Sequence, residues 1–261
     1  MAMQRPYAWL ARYYDSFFEL FRHPMDAARE RILGRILENL EAAHGSACDL
    51  ACGTGTTAIG LARRGFRMFA VDLSPAMCRL AREKAKSVRV ALRVVRGDMR
   101  TFRLPEPVDL ITCECDALNH VPRRADLARV TRAAARALKP GGYLFFDVNL
   151  RRGFQKYWTG TWWMEQPGAV LVMRNGNDAA HDRAWIDVEW FLREGNLWRR
   201  HRERVEEVCW SVAEIRAALA GFDRVRTWDA APFFRGDGVT SRGCRSIFLA
   251  RKANVSRTPS A

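Results

Sequence analysis

The stretch DLACGTGTTAIG, from Asp49 to Gly60, constrains the fold more than any other part of the sequence. Short apolar residues precede the glycines and an amphipathic run follows them, which is typical of a strand that turns sharply into a helix. Glycine lets the backbone of such a turn approach a ligand at the helix N-terminus. From Gly53 the letters match the dinucleotide pattern G-x-G-x-x-G/A, and from Asp49 they read acid-x-A-x-G-x-G. The loop predicts a nucleotide site without identifying the nucleotide.

Apolar strand-like segments alternate with helical segments from Ala47 to Asn149. The predicted strands are ACDLA, RMFAVDL, VALRVV, VDLITC and GYLFFDV, and the predicted helices are TTAIGLARRG, PAMCRLAREKAK and DLARVTRAAARAL. Such alternation indicates right-handed crossovers and a parallel sheet covered on both faces. The fold class is therefore α/β, doubly wound and Rossmann-like, with ligands at the carboxyl ends of the strands.

The remaining segments extend this core. Beyond Asn149 the helical period is lost, and GTWWMEQ, AVLVMR, AWIDVEWFLR and LWRRHRERVEEVCW are predicted antiparallel strands. A helix with Ser211 as N-cap then precedes two more strands, DRVRTW and RSIFLAR. We therefore predict an N-terminal helical cap (1–45), a nucleotide-binding core (46–150), a β-rich insert (151–210), a C-terminal helix with the last two core strands (211–252) and a disordered tail (253–261).

Composition limits the cellular setting. The seven cysteines include no C-x-x-C pair, which indicates reduced thiols and offers no metal-binding pattern. No apolar run reaches the length of about 18 residues that a membrane span needs, and the N-terminus carries charges where a signal peptide is apolar. We expect a cytoplasmic protein that is neither exported nor inserted in a membrane.

The net charge of +14 raises nucleic acid as a partner. The 43 basic residues are spread along the chain among 29 acidic ones, which fits a compositional bias at least as well as a binding face. In RRHRER, strand alternation puts Arg200, Arg202 and Arg204 on one face. That face is interpreted as solvated and paired with nearby glutamates, with an acidic substrate as the alternative. The glutamates predicted to pair with these arginines are Glu203, Glu206 and Glu207.

Six motifs in order resemble the class I S-adenosylmethionine-dependent methyltransferases, in the branch that acts on small molecules. They are DLACGTGT, VDLS, GDMR, CECDALNHV, LKPGGYLFFDVN and RSIFLARK. The resemblance covers the chain from Tyr13 to Lys252 and implies S-adenosylmethionine as cofactor. It also implies a seven-stranded, mostly parallel sheet with RSIFLAR as its antiparallel strand, and a β-rich lid inserted after the fifth strand.

Two other enzyme classes compete with this interpretation. An NAD(P)-dependent oxidoreductase would leave the LKPGG and GDM motifs unexplained. A nucleic-acid methyltransferase is favoured by the charge, but the chain has ECDALNHV where base-amine methylases carry an N/D-P-P-F/Y loop, and it lacks an appended basic domain. A small-molecule acceptor, methylated on nitrogen or oxygen, is therefore the preferred interpretation.

The resemblance implies a set of cofactor contacts. These residues are Tyr13, Asp49, Ala51, Gly53, Gly55, Asp72, Leu73, Asp98, Met99 and Glu114. The two glycines would face the methionine part, and Asp49 would orient the loop or the cofactor's amino group. Ala51 replaces the family's first loop glycine and is expected to have a negative φ. Tyr13 or Tyr14 would close the pocket.

The other contacts concern the nucleoside and the sulfonium. Asp72 would hold the ribose, Leu73 would lie by the adenine, and Asp98 would bond the adenine amine with Met99 against the ring. Glu114 would lie near the sulfonium. Plainer roles compete: Asp49 as a cap of the loop, Asp98 as a turn residue and Met99 as core.

Acceptor chemistry is expected after the fourth and fifth strands. His120 is the best general base, because its ordinary pKa lies near neutrality. Asp116 is expected to steer a cationic or amino acceptor, and Asn149 to hydrogen-bond it. A backbone-bonded His120 and an N-cap Asp116 are the alternatives. Seven of the nine tryptophans lie in 151–210. Three interpretations are open for them: an aromatic box that binds a substrate, ordinary packing within the sheet, or the contact face of a homodimer.

Overall fold

The computed structural model describes residues 10–233 and 242–254, with the side chains of residues 10, 12, 13, 16–24 and 42 left out. A seven-stranded sheet forms the centre, in the spatial order β10-β11-β5-β4-β1-β2-β3. Its strands are β1 Ser46–Leu50, β2 Arg67–Asp72, β3 Leu92–Arg96, β4 Val108–Cys113, β5 Leu138–Asn149, β10 Phe222–Asp229 and β11 Arg245–Lys252. Neighbouring strands from β3 to β5 pair in parallel, whereas β11 is antiparallel to both β5 and β10. The predicted fold class and the antiparallel RSIFLAR strand are confirmed.

Both faces of the central sheet are buried, because successive side chains of a strand point to opposite faces. Phe145 and Phe146 in β5 lie in two different hydrophobic clusters. Helix α4 Arg124–Ala137 and helix α6 Val212–Ala218 cover one face, and α2 Thr56–Arg63 covers the other. Helix α3 Pro75–Ser87 packs beside β2 and β3, with Ser74 as its N-cap.

The N-terminal segment, predicted to be helical, contains one long helix. One helix, α1 Leu10–Ala42, spans it without interruption. Met25, Leu33 and Leu37 are fully buried in the same cluster as Phe145. The second half of α1 therefore belongs to the core packing of the central sheet.

The insert after β5 forms a separate antiparallel sheet in the order β6-β7-β8-β9. Its strands are β6 Thr161–Gln166, β7 Ala169–Asp178, β8 Arg183–Glu194 and β9 Leu197–Val208. Glu194 pairs with Leu197 across the turn that joins β8 to β9. A short helix, α5 Arg151–Tyr157, precedes this sheet and was not predicted. We call this four-stranded sheet the lid.

The predicted N-cap at Ser211 is confirmed by its hydrogen bonds. Ser211 caps α6 in a capping box, because its hydroxyl accepts the Glu214 N–H at 3.2 Å while Glu214 accepts the Ser211 N–H at 2.9 Å. The LKPGG segment follows α4 and forms a bulge in β5, where Gly141 has a φ of 77°. The division into cap, core, lid and tail stays a prediction, and residues 255–261 of the predicted disordered tail lie outside the described residues.

Candidate functional site

The glycine loop connects β1 to α2 in a left-handed backbone. Ala51, Gly53 and Gly55 have φ angles of 58°, 53° and 80°. The expected negative φ at Ala51 is therefore wrong, because the chain leaves the strand through a turn that a Cβ disfavours by about 1–2 kcal/mol. A Cβ on Gly55 would lie 3.0 Å from the Ala81 Cβ, so this glycine permits close packing against α3.

Asp49 lies beneath the loop and is almost fully buried. Its Oδ1 accepts a hydrogen bond from the Thr112 hydroxyl at 3.0 Å, and the Ala58 N–H donates to the same carboxylate. It thus caps the first turn of α2, whose N-cap residue, Gly55, has no side chain to do so. Burial raises the pKa of Asp49 to about 7, although Thr112 and Arg29 oppose that shift.

Asp72 ties the end of β2 to the glycine loop. Its Oδ2 accepts the Gly53 N–H at 2.9 Å, and its Oδ1 accepts the Ser74 N–H at 2.8 Å. Burial raises the pKa of Asp72 even though these backbone bonds favour its ionised form. Leu73 follows with 60% of its surface exposed, although it is a large apolar side chain. This carboxylate and this apolar surface lie side by side at the carboxyl edge of the sheet.

Asp98 follows β3 and is paired within the chain. Arg100 donates from Nε to Oδ1 at 3.0 Å and from Nη2 to Oδ2 at 2.6 Å. These hydrogen bonds lower the pKa of Asp98. The Asp98 carbonyl also accepts the N–H groups of Thr101 and Phe102, as a turn residue does. Met99 is partly buried against the core. Arg100 is a partner that the sequence reasoning missed.

Glu114 directly follows β4 and forms a buried ion pair with Arg29 of α1. Arg29 Nη1 lies 2.9 Å from Oε1 and 2.7 Å from Oε2 of Glu114. Burial raises the pKa of Glu114 to about 7, while Arg29 opposes the shift. Arg29 Nε is buried and has no hydrogen-bond partner among the described residues. The sequence reasoning missed Arg29, although it lies among apolar helix positions where an arginine needs a partner.

Tyr14 brings α1 to the same edge. The Tyr13 side chain lies outside the described residues, so its assignment stays a prediction. The Tyr14 ring packs against the hydrophobic cluster of the lid, and its hydroxyl interacts electrostatically with Asp116 and Asp72. Burial is the main cause that raises the pKa of Tyr14. Tyr14 therefore lies between the loop that holds the nucleotide and the residues after β4.

The chain after β4 adopts a strained conformation. Cys115 and Asp116 have φ angles of 59° and 51°, in the left-handed region that non-glycine residues seldom occupy. Asp147 Oδ2 accepts the Asp116 N–H at 3.0 Å and the Arg245 Nε–H at 2.6 Å. The Asn149 amide donates to Asp116 Oδ2. Two predicted acceptor residues, Asp116 and Asn149, are thus in direct contact.

Asn119 is a structural residue. Its Oδ1 accepts the Asn149 N–H at 2.9 Å, and its Nδ2 donates to the carbonyls of Asn149 and Val208 at 2.9 and 2.8 Å. These three bonds occupy its amide and join β5, β9 and the single helical turn Ala117–His120. Asn119 therefore locks the lid to the core.

His120 ends that helical turn and faces β9. Its Nδ1 lies 3.4 Å from the Glu206 carbonyl oxygen and its Nε2 lies 3.8 Å from Glu207 Oε1. Burial lowers the pKa of His120, with the Asp116 charge opposing. The imidazole is therefore neutral at physiological pH, and a bond from Nδ1–H to the carbonyl leaves Nε2 as the proton acceptor.

The arginines of β9 lie on a solvated face together with Glu206, as predicted, but the predicted partners Glu203 and Glu207 were wrong. Glu203 and Glu207 alternate with the arginines of β9, so they point to the opposite, buried face of the lid. The arginines pair instead with β8: Arg200 with Glu189 at 2.7 Å and Arg204 with Asp187 at 2.6 Å. The buried glutamates face the core and the helical turn that carries His120.

The lid tryptophans do not assemble into one aromatic box. Trp190 is fully buried and donates from Nε1 to Glu203 Oε1 at 3.2 Å, and Trp210 donates to the Leu118 carbonyl at 3.1 Å. Trp163 and Trp198 are 67% and 51% exposed. Packing accounts for the two buried rings; Trp158 and Trp185 are partly buried, and Trp162, Trp163 and Trp198 are exposed.

Residues 10–233 and 242–254 contain neither a cluster suited to a metal ion nor a helix suited to crossing a membrane. In those ranges no group of three or more His, Cys, Asp or Glu side chains is arranged to hold a metal ion. Within the same ranges none of the helices combines the length and apolar character that crossing a bilayer requires.

Comparisons with known proteins agree on one family. Residues 47–142 match the family described as methyltransferase domain. The predicted methyltransferase YqeM of Bacillus subtilis (strain 168) is 28% identical over 67% of this chain and 71% of its own length. The ubiquinone biosynthesis O-methyltransferase of Yersinia pestis (strain Pestoides F) is 32% identical over 51% of this chain and 52% of its own length. The chain thus spans about half of that second relative.

Solved structures share the whole architecture. An S-adenosylmethionine-dependent methyltransferase from Clostridium acetobutylicum ATCC 824 superposes with a TM-score of 0.73 at 22% identity, covering 92% of this chain and 99% of that one. Residues 47–142 form a methyltransferase domain, and the chain has the fold of the S-adenosylmethionine-dependent methyltransferases. The sugar N-methyltransferase KedS8 from Streptoalloteichus sp ATCC 53650 has the same fold, with a TM-score of 0.68 at 23% identity over 91% of this chain and 93% of that one.

The methyltransferase-domain match and the shared fold favour S-adenosylmethionine over a dinucleotide as the ligand of the glycine loop. The antiparallel β11 beside β5 distinguishes the sheet from the dinucleotide-binding order 3-2-1-4-5-6. The site residues fit a cofactor with a ribose, an amino group and a carboxylate. Asp72 and Asp49 offer carboxylates, and Arg29 Nε offers a buried donor that is unused among the described residues.

Proposed function

We propose that this methyltransferase methylates a nitrogen or oxygen atom of a small-molecule acceptor, bound between the carboxyl edge of the central sheet and the inner face of the lid. The observation that carries the proposal is the position of Tyr14. Its ring packs against the apolar cluster of the lid, and the charges of Asp116 and Asp72 help to raise the pKa of its hydroxyl. A tyrosine in that position closes a short, water-poor path between the two substrates.

The bound cofactor supplies a methyl group on a positively charged sulfur. In our proposal Asp72 accepts the ribose hydroxyls, and Leu73 and Met99 flank the adenine. Asp98 bonds the adenine amine while keeping contact with Arg100. The left-handed loop at Ala51, Gly53 and Gly55, supported by Tyr13, admits the methionine part.

The buried pair of Arg29 and Glu114 is proposed to hold the charged end of the cofactor. Glu114 lies near the sulfonium, and Arg29 Nε donates to the cofactor carboxylate. Asp49 orients the loop through α2 and contributes negative charge toward the amino group. An N–H that is buried without a partner among the described residues supports the role of Arg29, since such groups are rare in folded proteins.

Catalysis is proposed to rest mainly on alignment, because the cofactor brings the reactive group. Asn149 and Asp116 orient the acceptor, and His120 Nε2 accepts its proton as general base. The apolar inner face of the lid excludes water from the reacting atoms.

A small acceptor has independent support. The match to the ubiquinone biosynthesis O-methyltransferase, a relative named for a small-molecule pathway, favours it. The arginines of β9 are paired with carboxylates of β8, which leaves that face less suited to a nucleic-acid backbone. We also propose a cytoplasmic location, supported by seven free cysteines, and a homodimer, supported by the exposed Trp163, Leu197 and Trp198.

The test is methyl transfer from labelled S-adenosylmethionine into a cell extract split into small-molecule, nucleic-acid and protein fractions. Label in the small-molecule fraction that disappears with Asp72→Ala supports the proposal. Label in nucleic acid would replace the proposal with a nucleic-acid methyltransferase. The affinity of the protein for nucleic acid should then fall steeply as the salt concentration rises.

A further inference from the structure

The lid contributes a buried acid to the acceptor side of the site. Glu207 on β9 is 4% exposed. Its Oε1 lies 3.8 Å from His120 Nε2, and its Oε2 has no hydrogen-bond partner among the described residues. Asp147 Oδ1, in a fully buried side chain, likewise has none among them. We call Asp116, Asp147 and Glu207 the acidic cluster.

The acidic cluster contains three acidic side chains, and the guanidinium that it contacts is that of Arg245. Arg245 bonds Asp147 through Nε at 2.6 Å and lies 3.6 Å from Asp116. His120 adds no positive charge, because burial keeps it neutral. Three acidic side chains therefore meet one guanidinium in a buried site, which favours the protonated form of an acid that has no cation beside it.

The surroundings suit an organic cation. Ala184 lies opposite Glu207 in the lid, and Tyr14 of α1 packs its ring against the apolar lid cluster that contains Leu171, Val188 and Trp190. Aromatic and apolar walls lower the local dielectric, which strengthens the attraction between a carboxylate and a cation. A neutral acceptor would leave the buried acid without a partner.

We propose that Glu207 binds the ammonium group of the acceptor, so that the substrates of this methyltransferase are amines that arrive as cations. The inference rests on the proposed function and narrows it from nitrogen or oxygen to an amine nitrogen. One ammonium N–H donates to Glu207 Oε2. A second N–H bond breaks, its proton passes to His120 Nε2, and its electron pair stays on nitrogen as the lone pair that attacks the methyl group. As the N–C bond forms, the methyl–sulfur bond breaks and its electron pair leaves on the sulfur of S-adenosylhomocysteine.

The raised pKa of Glu207 agrees with this role. Burial, and next the Asp116 charge, hold the pKa of Glu207 well above its usual range. Without a ligand the acid therefore keeps a proton, and a bound ammonium replaces that proton. Amine binding should release protons from the wild-type protein, and Glu207→Gln should abolish that release.

The experiment compares two probes of one shape, cyclohexylamine and cyclohexanol, on protein saturated with S-adenosylhomocysteine. Ligand-observed NMR gives both dissociation constants, and calorimetry in two buffers gives the protons released. The wild type should bind the amine about tenfold more tightly than the alcohol, and Glu207→Gln should erase that preference. Glu207→Asp, which keeps the charge, should retain part of it. Glu165→Gln, an exposed acid of the same lid, should change neither constant.

Equal affinity for the two probes, or an amine preference that survives Glu207→Gln, would overturn the inference. Affinity for S-adenosylhomocysteine serves as the check on folding of each variant. A protein that methylates a neutral alcohol in the extract but shows no amine preference would keep the proposed function and lose only this inference.

Discussion

Arg29 Nη1 donates to both carboxylate oxygens of Glu114, at 2.9 and 2.7 Å, across 85 residues of sequence. Asp26, one turn earlier in α1, accepts from Arg29 Nη2 at 2.6 Å. The pair fastens α1 to the carboxyl end of β4, next to the glycine loop. The position of the helix that carries Tyr14 therefore depends on a buried ion pair.

Replacing Arg29 by methionine should destabilise the fold by about 3–5 kcal/mol, because Glu114 would stay buried without its cation. Urea unfolding measures the loss, and titration with S-adenosylhomocysteine should show weaker binding. Arg35→Met, at an exposed position of the same helix, should change stability by less than about 0.5 kcal/mol. Equal losses in the two variants would contradict a specific role for the pair.

Ala51→Gly should stabilise the protein by about 1 kcal/mol, because glycine relieves the left-handed strain that alanine carries at a φ of 58°. Thermal unfolding checks the gain. Ala62→Gly, inside α2, is the control and should cost about 1 kcal/mol. A destabilised Ala51→Gly protein would mean that the methyl group's packing outweighs the backbone strain.

Asp72→Ala should weaken S-adenosylhomocysteine binding by about 1.5–3 kcal/mol, as the loss of a charge-assisted hydrogen bond does. The variant also frees the Gly53 and Ser74 N–H groups, so Asp72→Asn, which retains an acceptor, should lose less. Calorimetric titration measures all three proteins. Unchanged affinity in Asp72→Ala would remove the ribose assignment, and Asp223→Ala on the surface controls for the change of charge.

Asp49 should make stability depend on pH. Its pKa is about 7 in the folded protein, raised from 3.8 by burial, so the folded state binds the proton more tightly. That stabilisation is present at low pH and is lost as pH rises through about 7. Relative to the wild type, Asp49→Asn should therefore become more stable as pH rises from about 4 to about 7, and the difference should then stay constant. Urea curves that stay parallel across this range would show that Asp49 is not the titrating group.

His120 should titrate below the ordinary histidine pKa of about 6.5, because burial disfavours its charged form. NMR measures this pKa from the imidazole signal of His120. That signal is the one that disappears in His120→Gln and shifts in Glu207→Gln. Since the folded-state pKa is lowered, its protonation costs stability as pH falls. The methylation rate should rise with pH through that same pKa, and His120→Gln should remove that limb of the profile. A rate that keeps the limb would leave alignment as the whole mechanism.

The strand and helix pattern was predictable because it depends on local periodicity. The alternation from Ala47 to Asn149 and the N-cap at Ser211 both appear in the structure. The antiparallel direction of RSIFLAR also appears, but the family resemblance implied it and the local pattern did not. The short helix Arg151–Tyr157 was missed, because its seven residues carry little periodic signal. The left-handed φ of Ala51 was missed because backbone angles at a turn depend on the direction in which the chain must leave.

The sequence by itself determined the fold class, the nucleotide loop and the order of motifs along the chain, because strand period, helix period and glycine placement act over a few neighbouring residues. Only the tertiary structure decided which charges meet. Arg29 with Glu114, Arg100 with Asp98, and Glu207 with His120 each depend on where separate elements pack. Burial then sets the protonation of these groups, since loss of water is a property of the packed site and not of any residue in it.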